Sequence, residues 1–167
     1  MNNKIILNDI AIRTVLQPGD MGYIIYMHGL LYSREYNFGI QFENYVANGL
    51  VEFKEQYDPK RNRVWVCEHK GRMIGFLLLM DRGESAQLRY FLIDPEYRGA
   101  GLGSKLMNLY MDFLHECGYK HSYLWTTSEL HAAISLYKRY GFQLAEEKES
   151  TTFGKLVTEQ RYDLTLP

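Results

Sequence analysis

The sequence predicts an α+β fold, one domain over residues 1–167, with a mixed, mostly antiparallel sheet flanked by about four helices. Three observations carry this. Strand-like segments follow one another between residues 63 and 95 with turns and no helix between them. Two more strand-like segments close the chain, again with no helix between them. The helical segments stand as a pair near the start and singly later, giving the order β-α-α-β-β-β-α-β-α-β-β. That order belongs to an α+β sheet, not to the alternating pattern of a doubly wound parallel one.

Each element has its own warrant. "IAIRTVL" (10–16) is a short β-branched run stopped by the turn signal "QPGD". Asp20 is expected to N-cap the helical segment "MGYIIYMHGLLYSREY", which ends at "NFG". In "IQFENYVANGLVEFKEQY", Phe42, Tyr45, Val46, Leu50 and Phe53 share one helical face, interrupted in composition only by Gly49. "RVWVCEH" and "RMIGFLLLM" form a hairpin across Lys70-Gly71, and "SAQLRYFLIDP" is a third central strand that Pro95 stops. Leu102, Leu106, Leu109, Phe113 and Cys117 line a strong helix ended by Gly118. "HSYLWTT" is a strand, "SELHAAISLYKRY" a helix stopped by Gly141, and "FQLAEEKES" and "LVTEQRYDLTL" are the closing strands.

Composition excludes several functions. A formal net charge of −1 leaves no basic face for nucleic acid. The N-terminus lacks the basic and apolar regions of a signal peptide, and "IGFLLLM" is too short to span a bilayer. Cys67 and Cys117 lie far apart with no CxxC, and the five histidines show no mutual ligand spacing, so no metal is expected. A cytoplasmic enzyme acting without membrane or nucleic acid is the expectation.

The segment "EYRGAGLGSKL" (96–106) points to chemistry. Its three glycines in five residues follow a strand and open a helix. A Walker A loop would need Gly-Lys-Ser/Thr, but here Gly103 is followed by Ser104 and then Lys105. A Rossmann fingerprint would space the third glycine one residue later and would sit in a βαβ unit. What remains is a helix N-terminus whose first amides lack intrahelical partners and carry the positive end of the helix dipole. With no side chains in the way, a diphosphate can rest against them, with Arg98 adding charge and Ser104 a hydroxyl donor. A tight packing turn explains one such glycine; it does not explain three beside an arginine.

"LIDPEYRGAGLGSKLM" resembles the acetyl-CoA-binding signature of the GNAT superfamily of N-acetyltransferases, Arg/Gln-x-x-Gly-x-Gly/Ala, here Arg98-Gly99-Ala100-Gly101-Leu102-Gly103. "ISLYKRYGF" (134–142) is similar to a second block of that family, and the element order matches along essentially the whole chain. More narrowly, "YVANGLVEF", "YDPKRNRVWV", "LWTTSELHAA" and "SLYKRYGF" resemble acetyltransferase domains fused behind MarR-type regulators, expected here in stand-alone form. The resemblance implies a sheet splayed in its middle. It implies acetyl-CoA as co-substrate, its pyrophosphate on the amides of Arg98, Gly99, Ala100, Gly101, Leu102, Gly103 and Ser104. It also implies that amides near Leu92 and Ile93 face the thioester carbonyl and stabilise developing negative charge.

Tyr137 occupies the position of the family's tyrosine general acid, which would protonate the leaving thiolate. From spacing alone it would read as a core tyrosine beside Ala133 and Tyr140. A lysine-like acceptor is neutral in only about one molecule in 2,500 at pH 7, so a base is expected. Glu43 and Glu84 lie near segments that border the acceptor, but neither is assigned. One departure stands out. Many relatives carry Asn seven residues before the tyrosine, where this chain has Leu130.

The resemblance also implies that the first two helices and the last strands frame the acceptor; here that region supplies Tyr32, Tyr36, Phe38 and Phe42, followed by Glu43, Glu52 and Glu55, an aromatic and mildly acidic wall suited to a cationic amine. The acceptor is therefore expected to be a small-molecule or peptide amine attacking directly in a ternary complex. Rival readings are a non-catalytic acyl-CoA-binding or sensing module and a regulatory partner of a DNA-binding protein. The sequence leaves the oligomeric state open, a homodimer included.

Overall fold

The computed structural model describes residues 7–167. Its seven strands are β1 (Ala11–Arg13), β2 (Arg63–His69), β3 (Arg72–Arg82), β4 (Ser85–Ile93), β5 (His121–Thr127), β6 (Gln143–Ser150) and β7 (Val157–Thr165). Its helices are α1 (Asp20–Tyr36), α2 (Gln41–Glu55), α3 (Leu102–Cys117) and α4 (His131–Arg139). The strands form one sheet in the order β1-β2-β3-β4-β5-β7-β6. Only β4 and β5 pair in parallel; every other ladder is antiparallel. The α+β order read from the sequence is the one observed, with short 3-10 turns added at Leu7–Asp9 and Pro95–Tyr97.

The unbroken apolar run of β3 is explained by its neighbours. Ile74, Leu77 and Leu79 enter a core shared with α3 and α4, whereas Phe76, Leu78 and Met80 enter a second core shared with α1 and α2. A strand covered on both faces has no solvent side to make polar. Each such buried side chain contributes about 1.5–3 kcal/mol. Between β2 and β3, Lys70 and Gly71 take φ of 51° and 73°, both left-handed, as a two-residue hairpin turn requires.

Two expected helix starts are displaced. Gly19, with φ 94°, takes the cap position of α1, and Asp20 is its first residue. The Asp20 carboxylate turns back to accept from Arg13 Nη1 at 2.7 Å, Arg13 Nη2 at 2.8 Å and the Gln17 amide at 2.6 Å. Charge pairing with β1 has won over capping. At the other end of the chain, α4 begins at His131 rather than Ser128, with Leu130 in the cap position and no side-chain cap.

The feature that shapes the site is an interruption in β4. Leu78 pairs with Arg89 but Phe76 pairs with Leu92, so Tyr90 and Phe91 together oppose Leu77. This is a β-bulge, and Tyr90 adopts φ 56°, uncommon for a bulky residue. On its other edge β4 pairs with β5 only over Ser85–Gln87, opposite His121–Tyr123. Beyond that the two strands part.

Gly49 belongs to the same feature. A Cβ there would overlap the Tyr90 hydroxyl and stand 2.7 Å from Arg89 Nη2. Helix propensity alone favours Gly49→Ala by about 1 kcal/mol, whereas overpacking costs about 1–3 kcal/mol. We expect the clash to win. Urea unfolding should show Gly49→Ala less stable than the wild type, and a gain in stability would mean that Tyr90 does not pack against α2.

Candidate functional site

After β4, the Asp94 carboxylate accepts the Glu96 amide at 3.0 Å and starts the 3-10 turn. Gly99 and Gly101 then take φ of 78° and 89°, conformations that L side chains resist, and α3 opens at Leu102. The first helical bond is donated by the Lys105 amide to the Gly101 carbonyl at 3.1 Å. The amides of residues 99–104 find no acceptor among the described residues. They form a row of unmatched donors at the positive end of a sixteen-residue helix. The three glycines divide the work. Gly99 and Gly101 permit the backbone path, whereas Gly103 lets α3 approach α4, since a Cβ there would lie 3.3 Å from Leu136 Cδ2.

Arg98, expected to lend its charge to a bound anion, is committed elsewhere. Its Nη1 and Nη2 each donate to Glu35 at 2.9 Å, and its Nε donates to the Ile93 carbonyl at 3.1 Å. The guanidinium thus ties the end of α1 to the loop after β4. Its own amide donates to the Pro95 carbonyl at 3.3 Å.

The loop forms one end of an open groove. The groove runs past Leu92 and Ile93, along the start of α4 at Ala133, to Tyr32 of α1. Leu92 and Ile93 are not equivalent there. The Asp94 amide donates to the Ile74 carbonyl at 2.8 Å, so strand alternation turns the main-chain groups of Leu92 towards β3 as well. Those of Ile93 face the open edge, where Arg98 has taken the carbonyl. The amide of Ile93 is the exposed donor.

At Tyr32, Phe91 and Leu130 the groove meets a second cavity, which fills the gap between β4 and β5. Leu130, the residue that departs from the family pattern, therefore stands at the junction. Tyr137 lines the cavity, buried, with its ring centroid 6.2 Å from Phe91 and 6.1 Å from Phe142. Burial pushes its pKa well above the ordinary tyrosine value, so the hydroxyl keeps its proton throughout the neutral range.

Of the expected aromatic wall, Tyr32, Phe38 and Phe42 line the cavity, joined by Tyr45, Tyr90 and Phe153, whereas Tyr36 lines the groove instead. The acidic part of the expectation is not met. Glu52 is held by Arg82 and Arg89, Glu43 packs against Gly29 of α1, and Glu55 is exposed. The carboxylate that does line the cavity is Glu159 of β7. Sequence reasoning also passed over His28, Arg89, Thr126 and Thr127, which line it too. For Arg89 a signal was present, since a charged residue inside the apolar run "LRYFLI" needs a reason to be there. Among the described residues there is no group of three or more His, Cys, Asp or Glu side chains placed to hold a metal. No described helix is long and apolar enough to cross a membrane.

Comparison with known proteins now decides the family. Residues 30–142 match the model of the acetyltransferase (GNAT) family. The chain belongs to the GNAT acetyltransferases. An uncharacterized N-acetyltransferase of Methanocaldococcus jannaschii is 34% identical over 92 residues, covering 51% of this chain and 39% of the relative. One from Escherichia coli is 36% identical over 100 residues, covering 56% of this chain and 59% of the relative. The chain thus matches less than two thirds of the length of either relative. Among solved structures, an acetyltransferase from Streptococcus agalactiae superposes with a TM-score of 0.78 at 17% identity, covering 95% of this chain and 99% of the other. A Salmonella typhimurium protein solved with acetyl-CoA gives 0.72 at 22% identity, with 96% and 95% covered. At these identities the likeness shows a shared fold.

His28 gives a test of the cavity wall. Its Nδ1 donates to the Ile24 carbonyl at 2.7 Å, and burial pushes its pKa down to about 4. An unfolded chain takes up that proton as pH falls through about 6.5, and the fold refuses it until near 4. Stability is therefore lost on acidification across this window, by up to about 3 kcal/mol. Melting temperatures from pH 7 to pH 5 should fall less steeply for His28→Phe than for the wild type. Parallel slopes would show that His28 titrates normally.

Proposed function

We propose that residues 1–167 act as one acetyltransferase domain, which transfers the acetyl group of acetyl-CoA to a primary amine by direct attack in a ternary complex. The observation that carries this is the row of unmatched amides at 99–104, set at one end of a groove that leads to Tyr137. Those amides, with Gly99 and Gly101 offering no side chain, fit a diphosphate. The groove beyond them suits the pantetheine arm. Arg98 serves by its side-chain hold on Glu35 and Ile93, which fixes the loop, rather than by charge directed at the phosphates.

Acetyl-CoA supplies an activated acyl carbon; this chain's residues aim and balance the reaction. Ile93 offers its amide to the thioester oxygen as charge develops there, a type of contact worth about 2.7–4 kcal/mol in other acyl transfers. The amine nitrogen bonds to the acyl carbon as the carbon–sulfur bond breaks. Tyr137 gives its proton to the departing sulfur and is reprotonated from water. Its raised pKa keeps the hydroxyl protonated at neutral pH, the form that has a proton to give and cannot act as the base. The surplus amine proton leaves through the cavity, on whose wall Glu159 is the carboxylate.

Thiol release from acetyl-CoA in the presence of an amine panel tests the reaction. We expect Tyr137→Phe to lower kcat by about 100-fold or more, with acetyl-CoA affinity by calorimetry nearly unchanged. Equal turnover in the variant removes Tyr137 from the mechanism, and no uptake of acetyl-CoA by the wild type removes the function.

A further inference from the structure

Four of the cavity's polar side chains have atoms that are buried and without a hydrogen-bond partner among the described residues: His28 Nε2, Arg89 Nε, Thr126 Oγ1 and Thr127 Oγ1. Such atoms are rare in a finished fold because each lost its water on burial and gained nothing in return. Here all four residues line one cavity; Thr126 and Thr127, adjacent in β5, point to opposite faces of the sheet, and it is Thr127 that lies on the α1/α2 face with Arg89. Three of the four atoms are donors or carry a donor. The Arg89 side chain is only 10% exposed, and Thr126 and Thr127 are 9% and 4% exposed.

The charge balance points the same way. Arg89 Nη1 reaches Glu52 Oε2 at a long 3.4 Å, and Glu52 is bound more closely by Arg82. Two guanidinium groups therefore share one carboxylate, which leaves a positive charge at the cavity wall. Arg89 is held in place by Tyr45 and Tyr90, with ring centroids 5.3 Å and 4.7 Å from its guanidinium carbon. Across the gap, Glu159 pairs in register with Thr127. Arg89 on the β4 side and Glu159 on the β5 side give the cavity one charge of each sign.

We propose that the acceptor is an amino acid, an amine bearing a carboxylate, and that Arg89 with Thr127 is the subsite that holds this carboxylate. A carboxylate accepts several hydrogen bonds, which matches the unpartnered guanidinium N–H of Arg89 and the unpartnered hydroxyl of Thr127. The aromatic wall takes an apolar or aromatic side chain. A polyamine is disfavoured because its second ammonium would face Arg89. The inference rests on the acetyltransferase reading given above and narrows its substrate.

The test uses phenylalanine, tyrosine and leucine, each beside the amine that lacks its carboxylate. Binding is followed by saturation-transfer NMR, and turnover by thiol release from acetyl-CoA. The wild type should prefer each amino acid to its amine by about 30-fold or more in kcat/KM, the scale expected for a buried charged pair. Arg89→Gln should erase most of that preference, and Thr127→Val, which nearly keeps the shape, should reduce it. Both variants are checked for fold by circular dichroism and for acetyl-CoA uptake by calorimetry. Amines used as well as the amino acids, or a preference unchanged in a folded variant, would overturn the proposal. So would a protein that takes up acetyl-CoA but neither binds nor acetylates any of the three amino acids. Should phenylalanine bind through Arg89 while acetyl-CoA does not bind at all, the carboxylate subsite stands and the transfer reading falls.

Discussion

The parting of β4 from β5 after Gln87 and Tyr123 is the constraint on which the site depends. In a closed sheet the edge of β4 would be paired along its length and offer nothing to a ligand. Here the bulge at Tyr90 turns the strand, and a left-handed tyrosine costs of the order of 1–3 kcal/mol. The surroundings offset it. Tyr90 is buried, donates to the Tyr45 carbonyl at 3.4 Å, meets His28 edge-on at 5.6 Å and fills the space left by Gly49. Strain is stored where the chain opens.

From that opening the two halves of the site follow. The groove lies between the loop after β4 and α4, and the cavity occupies the gap between the strands themselves. Tyr32, Phe91 and Leu130 stand where the two join. A ligand lying in the groove would therefore present its end to the cavity without any hinge motion. The Arg98–Glu35 pair keeps α1 in register with the loop. Both side chains are partly exposed, so its contribution to stability is about 0–1 kcal/mol and its value is geometric.

Much of this was legible in the sequence. The element order followed from periodicity and turn chemistry, because each segment's neighbours in space are largely its neighbours in sequence. The glycine run could be recognised as a helix start with free amides, since a helix opening after a strand leaves its first N–H groups without partners. What could not be read depends on distant partners. Arg98 looked like a free cation until Glu35, 63 residues away, was seen to hold it. Asp20 looked like a cap until Arg13 claimed it. The Tyr90 bulge, and with it the difference between Leu92 and Ile93, depends on a one-residue slip in pairing that no propensity records. The acidic wall inferred from Glu43, Glu52 and Glu55 failed because helix position says which residues are near, not which way they are already paired.

In the function proposed above, the open edge of β4 and the bare amides before α3 together bind and aim a thioester. A crystal structure of the protein grown with acetyl-CoA tests it most directly. We expect diphosphate oxygens within hydrogen-bonding distance of the amides of residues 99–104 and the acetyl group between Ile93 and Tyr137. Diphosphate seated on any other surface, or an acyl group directed away from the gap between β4 and β5, would contradict it.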